Sequence, residues 1–194
     1  MRALALILAS TSRYRRELLA RLRLPFRCEA PGVDETAIAG ETPLQRAVRL
    51  ARAKAAAVAR RQPDSTVIGS DQVAVCAAEL LDKPGDAARC RAQLRRLCGA
   101  SATFYTAVAV LNLARGSALE FVDTTTVQVR RLSDTEIDRY VAAEQPFDCA
   151  GGFRCEGLGI SLFERITSDD PTALVGLPLI GLAAALRGLG YALP

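Results

Sequence analysis

Two long β-rich stretches, residues 102–112 and 119–131, are joined by Ala114-Arg115-Gly116-Ser117, a hairpin signal. They sit in the middle of a chain that otherwise alternates strand-like and helix-like segments. Alternation by itself favours a parallel sheet with helical crossovers, so an antiparallel hairpin at its centre makes the sheet mixed. Before the hairpin, Leu4–Leu8 reads as a buried strand. Arg13–Leu22 reads as a helix with Tyr14, Leu18, Leu19 and Leu22 inward, and Phe26–Glu29 as a short strand. Thr42-Pro43-Leu44-Gln45 is a capping box with proline at the first helical position. It opens an Ala-rich helix to about Arg60, with Leu44, Val48, Ala51, Ala55 and Val58 on one face. Thr66–Ile68 and Val73–Cys76 are strand-like and split by Gly-Ser-Asp-Gln.

Residues 86–97 read as a helix, as does the segment from the Ser133-Asp134-Thr135-Glu136 capping box to about Glu144. Ile160–Arg165 is a strand, and Pro178 starts a final helix that stops at Gly188. Neither repeats nor a linker divide the chain. The expectation is one α/β domain over residues 1–194, any second lobe being an excursion of the same sheet around the hairpin and the 134–144 helix.

The 194 residues are enough to bury a real core. No apolar run reaches the roughly 18 residues of a membrane span. The apolar run after Arg2 ends in Ser-Thr-Ser and leads into a helix, unlike a signal peptide. A cytosolic chain with no membrane partner is expected. The six cysteines (Cys28, Cys76, Cys90, Cys98, Cys149 and Cys155) have no CxxC spacing and read as reduced, largely buried thiols. Histidine is absent, which excludes Ser-His-Asp and Cys-His catalysis and His-based zinc sites. Acid–base work then falls to carboxylates, Lys, Tyr or metal-bound water. The net charge of +4 is mild and aromatics are 5% of the chain, so no basic, aromatic-interleaved stripe argues for nucleic acid.

Leu6–Leu22 raises a chemical question. Its helix begins with Arg13, Arg15 and Arg16, where the helix dipole already carries partial positive charge and acidic residues are favoured. A strand, a Ser-Thr-Ser turn and a helix N-terminus form a generic phosphate seat. Ser10 and Ser12 can add hydroxyls, and Arg15 and Arg16 forked guanidinium contacts; equally, Ser12 serves as a plain N-cap over solvated arginines.

Asp71 interrupts an apolar strand just after Gly69. It can bind a divalent metal, take a proton from water, or sit in a turn between two strands. Lys54 lies near the buried face of its helix, able to snorkel out or to reach a phosphate. Lys83 sits in the turn Leu81-Asp82-Lys83-Pro84, and Asp34-Glu35 form an acidic loop pair. Glu156 stands among the glycines of residues 150–159, a pattern that admits close ligand approach. Together these are the parts of a phosphoryl-transfer site without a P-loop.

In order along the chain, the motifs Ser10-Thr11-Ser12-Arg13-Tyr14-Arg15-Arg16, Val33-Asp34-Glu35, Ala53-Lys54-Ala55, Gly69-Ser70-Asp71-Gln72, Asp82-Lys83-Pro84, Ala150-Gly151-Gly152-Phe153 with Glu156-Gly157, and Val175-Gly176-Leu177-Pro178 resemble those of the Maf family of nucleotide pyrophosphatases. The resemblance runs from Leu6 to about Leu186. It implies an α/β fold of the Maf and ITPase-like kind: an elongated mixed sheet, flanked by helices, with a central cleft. It also implies hydrolysis of a nucleoside triphosphate between the α and β phosphates with Mg²⁺ or Mn²⁺, commonly by a homodimer.

Carried onto this chain, Asp71 resembles the proton acceptor. Ser10, Arg15, Arg16, Lys54 and Lys83 resemble the triphosphate ligands, and Glu35 with Asp71 the metal-binding carboxylates. Ser70-Asp71-Gln72 and Glu156 resemble the branch acting on 7-methyl-GTP, where the branch acting on dTTP and UTP typically reads Ala-Asp-Thr. Recognition of the base is expected from Tyr14, Gln72 and Glu156. Arg13 stands where the family often has proline. The alternatives are the dTTP/UTP activity, or a nucleotide-binding regulator of cell division without turnover.

Overall fold

The computed structural model describes residues 5–194. In chain order the elements are β1 (Leu6–Leu8), α1 (Arg13–Ala20), β2 (Phe26–Cys28), α2 (Pro43–Arg61), β3 (Thr66–Cys76), β4 (Glu79–Leu80) and α3 (Ala87–Leu97). There follow β5 (Ser101–Asn112), β6 (Ser117–Val129), α4 (Asp134–Glu144), β7 (Phe163–Thr167) and α5 (Leu179–Gly188). The strands form one seven-stranded sheet in the order β2-β1-β3-β5-β6-β7, with β4 paired to β3. β1 runs parallel to both β2 and β3, while β4 is antiparallel to β3 and β7 to β6. The sheet is mixed, as the central hairpin requires.

Some boundaries differ from the sequence reading. Leu4 lies outside the described residues. The break expected at Gly-Ser-Asp-Gln is absent: Thr66–Cys76 is one continuous strand of 11 residues. β3 lies between β1 and β5, where its backbone groups are paired and its polar side chains find partners, so nothing forces a turn. Asp71 is therefore inside a strand, not at its end. The strand expected at 160–165 runs Phe163–Thr167, after a 3₁₀ turn over Leu158–Leu162. Leu44 is exposed, and the buried stripe of α2 starts at Ala47.

The chain divides into two compact units. The first comprises residues up to Gln72, Thr106–Asp123 and Asp170–Pro194; the second Val73–Tyr105 and Thr124–Asp169. The core of the first is a cluster of Leu6, Leu8, Leu18, Leu19, Ile68, Val108, Val110, Leu177, Leu182 and Leu186, drawn from β1, α1, β3, β5, α5 and the segment just before α5. Successive strand residues point to opposite faces. Ile68 thus joins this cluster while Gly69 faces α2, whose small residues Ala51 and Ala55 let helix and strand approach closely. In the second unit Phe153 packs edge-on against Phe104 and Phe163, with centroids 5.5 and 4.8 Å away. Arg91–Asp138 and Arg95–Asp134 ion pairs, both 2.6 Å, link α3 to α4.

A side chain at residue 69 has nowhere to go. A Cβ there would lie 2.3 Å from the Ala51 carbonyl oxygen and 2.5 Å from the Ala55 nitrogen, both backbone atoms. Gly69→Ala is expected to destabilise the fold by about 1–3 kcal/mol or more, as overpacking does. Denaturant unfolding checks this, and an unchanged midpoint would contradict the close approach of α2 to β3.

Candidate active site

In the first unit β1 leads through the Ser10–Ser12 turn into the N-terminus of α1. Ala9 ends the strand with its N–H on the Ile68 carbonyl (2.8 Å). Buried Ser10 then accepts the Ser12 N–H at 3.1 Å, and Ser12 caps α1 by accepting the Arg15 N–H at 3.4 Å. Ser10, Thr11, Ser12, Arg13 and Arg16 line a cleft of about 260 Å³, with Cys28, Glu29 and Ala30 opposite. Cys28 and Glu29 are absent from the sequence-derived site. The signal for them is the parallel register Leu8↔Cys28, which brings the end of β2 beside the end of β1.

The three arginines part company. Arg16 lines the cleft. Arg13 lies over the Tyr14 ring, 4.7 Å from its centroid, and donates to the Tyr14 hydroxyl at 2.6 Å. One face of the half-buried tyrosine is thereby covered by a cation from its own chain. Arg15 turns inward and donates from Nε to the Gly176 carbonyl at 2.9 Å. Burial lowers its pKa, against the attraction of Asp71 first and Glu35 second, so Arg15 lies within the field of both carboxylates.

Those carboxylates meet at Lys54. Lys54 belongs to the stripe Leu50, Ala51, Lys54, Ala55 and Val58 on the inner face of α2 and is only 6% exposed. Its ammonium neither snorkels to solvent nor stands open: Nζ lies 2.6 Å from Asp71 Oδ1 and 2.7 Å from Glu35 Oε1. Asp71 projects from the α2-facing side of β3 and is 6% exposed, while the Glu35 side chain is 56% exposed. A buried charge needs such a partner. The pairing is why an aspartate is tolerated within a central strand.

Ser70 and Gln72, on the other side of β3, grip the segment before α5. Ser70 Oγ donates to the Gly176 carbonyl at 3.1 Å. Gln72 Nε2 reaches Thr106 Oγ1 and the carbonyls of Ala173 and Leu174 at 2.9–3.1 Å. Its amide protons are thus engaged within the protein.

Lys83 and Glu156 belong to the second unit. Lys83 is exposed beside buried Pro84. Glu156 lies 3.5 Å from Arg154 Nε, and Arg154 also pairs with Glu144 at 3.0 Å. The loop needs its glycine at residue 159, where a Cβ would lie 2.3 Å from the Arg154 carbonyl oxygen.

The donor set suits a hard divalent cation. Asp71 and Glu35 converge on one ammonium, and oxygen donors are what Mg²⁺ or Mn²⁺ takes. Among the described residues no group of three or more His, Cys, Asp or Glu could hold a metal. The remaining ligands would then be phosphate oxygens and water, the usual mode for Mg²⁺ at nucleotides.

The fold is thus an α/β protein with a mixed sheet, and its first unit sets a serine turn and helix N-terminus together with a buried Lys54–Asp71–Glu35 cluster. The family profile described as Maf-like protein matches residues 5–189, and the chain belongs to that family. It is 56% identical over 189 residues to the 7-methyl-GTP pyrophosphatase of Xanthomonas campestris pv. campestris, covering 97% of this chain and 98% of that one. It is 53% identical over 194 residues to the protein of the same name from Aromatoleum aromaticum, each chain covered in full. Among solved structures, the Staphylococcus aureus Ham1 protein superposes with a TM-score of 0.53 at 14% identity, over 95% of this chain and 99% of that one, a likeness of fold alone. No helix of the described residues is long and apolar enough to cross a membrane.

Lys54→Met leaves Asp71 charged, buried and without its main partner. Breaking a buried pair from one side costs about 3–5 kcal/mol, and most of that loss should return in the double variant Lys54→Met/Asp71→Asn. Denaturant unfolding of the two single variants and the double gives the coupling. Purely additive losses would contradict the pairing.

Proposed function

We propose that this protein hydrolyses 7-methyl-GTP to 7-methyl-GMP and diphosphate in the cytoplasm, removing a modified nucleotide, and that it works as a homodimer. The reading is carried by the meeting of Asp71, Glu35, Lys54 and Arg15 beside the Ser10–Ser12 turn. The near full-length relatives named 7-methyl-GTP pyrophosphatase support the choice of base. A binder without turnover would have little use for two carboxylates next to an anion.

In this reading the Ser10–Ser12 turn and the start of α1 take the triphosphate through backbone N–H groups and hydroxyls, with Arg15 and Arg16 adding charge-assisted bonds. Glu35 and Asp71 would hold a divalent metal, which when bound offsets charge on the phosphates. Asp71 Oδ2, not used in the bond to Lys54, accepts the proton of the attacking water as the α–β anhydride bond breaks and diphosphate leaves. Lys54 orients Asp71, and its ammonium would offset charge on the phosphates. Lys83 adds a further phosphate contact. Tyr14 offers its ring face to the cationic base, and Glu156 accepts from the guanine N1 and N2 edge. Gln72 acts beside them on selectivity.

Diphosphate release across 7-methyl-GTP, GTP, dTTP and UTP tests the substrate, with 7-methyl-GTP expected to show the highest kcat/KM. Preference for dTTP or UTP would overturn it. Asp71→Asn should lower turnover by about 10²–10⁴, the range for a lost general base, in a protein that still folds. Glu156→Gln should reduce kcat/KM for 7-methyl-GTP much more than for GTP. An equal loss on both would make Glu156 a support of its loop.

A further inference from the structure

The segment leading into α5 is held unusually well for an irregular stretch. The Gly176 carbonyl oxygen accepts two bonds, from Ser70 Oγ at 3.1 Å and from Arg15 Nε at 2.9 Å, which occupies both its lone pairs. Two residues earlier in the turn, Leu174 gives its carbonyl to Gln72; one further back, Ala173 gives its carbonyl to Gln72 and to Thr106 Oγ1, the latter at 3.0 Å. Gly176 itself has φ of +124°, a conformation open to glycine and strained for other residues.

Ser70 and Thr106 are both 0% exposed, so neither can touch a nucleotide. Ser70 also lies on the side of β3 opposite to Asp71, because neighbouring strand residues alternate. Their hydroxyls have one visible consequence: they fix a turn whose carbonyl fixes Arg15. A guanidinium has five N–H donors in a rigid plane. Anchoring Nε sets the direction of that plane and leaves the terminal nitrogens to other acceptors.

We infer that Ser70 and Thr106 are positioning residues that act through the Ala173–Gly176 turn to hold the Arg15 guanidinium in one orientation toward the phosphates. The inference rests on the reading of Arg15 as a phosphate ligand, but not on which base is bound.

The test is a double-mutant cycle read by calorimetric titration of inorganic tripolyphosphate with Mg²⁺ present, using wild type, Ser70→Ala, Arg15→Ala and the double variant. Ser70→Ala should weaken binding about three- to tenfold, the range of one net hydrogen bond. In the Arg15→Ala background it should have almost no further effect. With nucleotides, KM should rise by a similar factor for every base while kcat changes less. Equal losses in both backgrounds, or wild-type affinity in Ser70→Ala, overturn the inference.

Should Ser70→Ala fail to fold, Thr106→Val keeps the side-chain shape and removes the other hydroxyl. The same dependence on Arg15 is then required, and its absence counts against positioning. A nucleotide panel that favours another base defeats the 7-methyl-GTP reading and leaves this cycle standing, because tripolyphosphate has no base. A wild type that does not bind tripolyphosphate defeats the phosphate site and the positioning together.

Discussion

One ammonium group organises the first unit. Lys54 sits in a stripe of leucine, alanine and valine on the inner side of α2, a place where a lone charge would cost several kcal/mol. It is tolerable because Asp71 and Glu35 meet it at 2.6 and 2.7 Å. The arrangement sets conditions around it. The helix must come close to β3, which Gly69 opposite Ala51 and Ala55 allows. The loop carrying Glu35 must fold back on α2, and Arg46 and Arg49 help by donating to the Glu35 and Thr36 carbonyls at 3.2 Å each. Replacing the whole cluster by apolar residues of similar volume is often neutral or stabilising, whereas removing one partner alone is costly.

β3 divides the labour between its faces. Residues 67, 69 and 71 face α2 and carry the close approach and the carboxylate. Residues 68, 70 and 72 face the other way, contributing to the apolar cluster and holding the Ala173–Gly176 turn. Arg15 joins the two halves: Gly176 anchors its Nε, while Asp71 and Glu35 act on its charge. A strand with a period of two is well suited to this, since a carboxylate and the groups that hold the neighbouring turn can be adjacent in sequence without competing for space.

Local chemistry was legible where local bonds decide. Both capping boxes, Thr42 with Gln45 and Ser133 with Glu136, form as their residues suggest, and Ser12 caps α1. These need partners only three residues away. Gly-Ser-Asp-Gln has the composition of a turn, and what keeps it extended comes from far along the chain: Lys54 for Asp71, Gly176 for Ser70, Ala173 and Leu174 for Gln72. The buried side of Lys54 could be seen in the spacing of its helix, but not the carboxylates it would meet. Cys28 and Glu29 border the phosphate cleft through a strand register that no local pattern encodes.

The arginines at the start of α1 can now be weighed one by one. Each opposes the helix dipole, an unfavourable placement of some tenths of a kcal/mol per charge where exposed. Arg15 has offsetting partners in Gly176, Asp71 and Glu35, and Arg13 has the Tyr14 ring and hydroxyl. Arg16 lines the cleft with Ser10 and Ser12, and its opposition to the dipole turns to advantage when an anion arrives, because dipole and guanidinium then attract the same charge. Arg13 has a subtler effect. Its cation covers one face of the Tyr14 ring, so a positively charged group approaching that face would have to displace it. The pairing of Arg13 with Tyr14 therefore bears on what the ring can attract, while the charge of Arg16 in the cleft favours any anion.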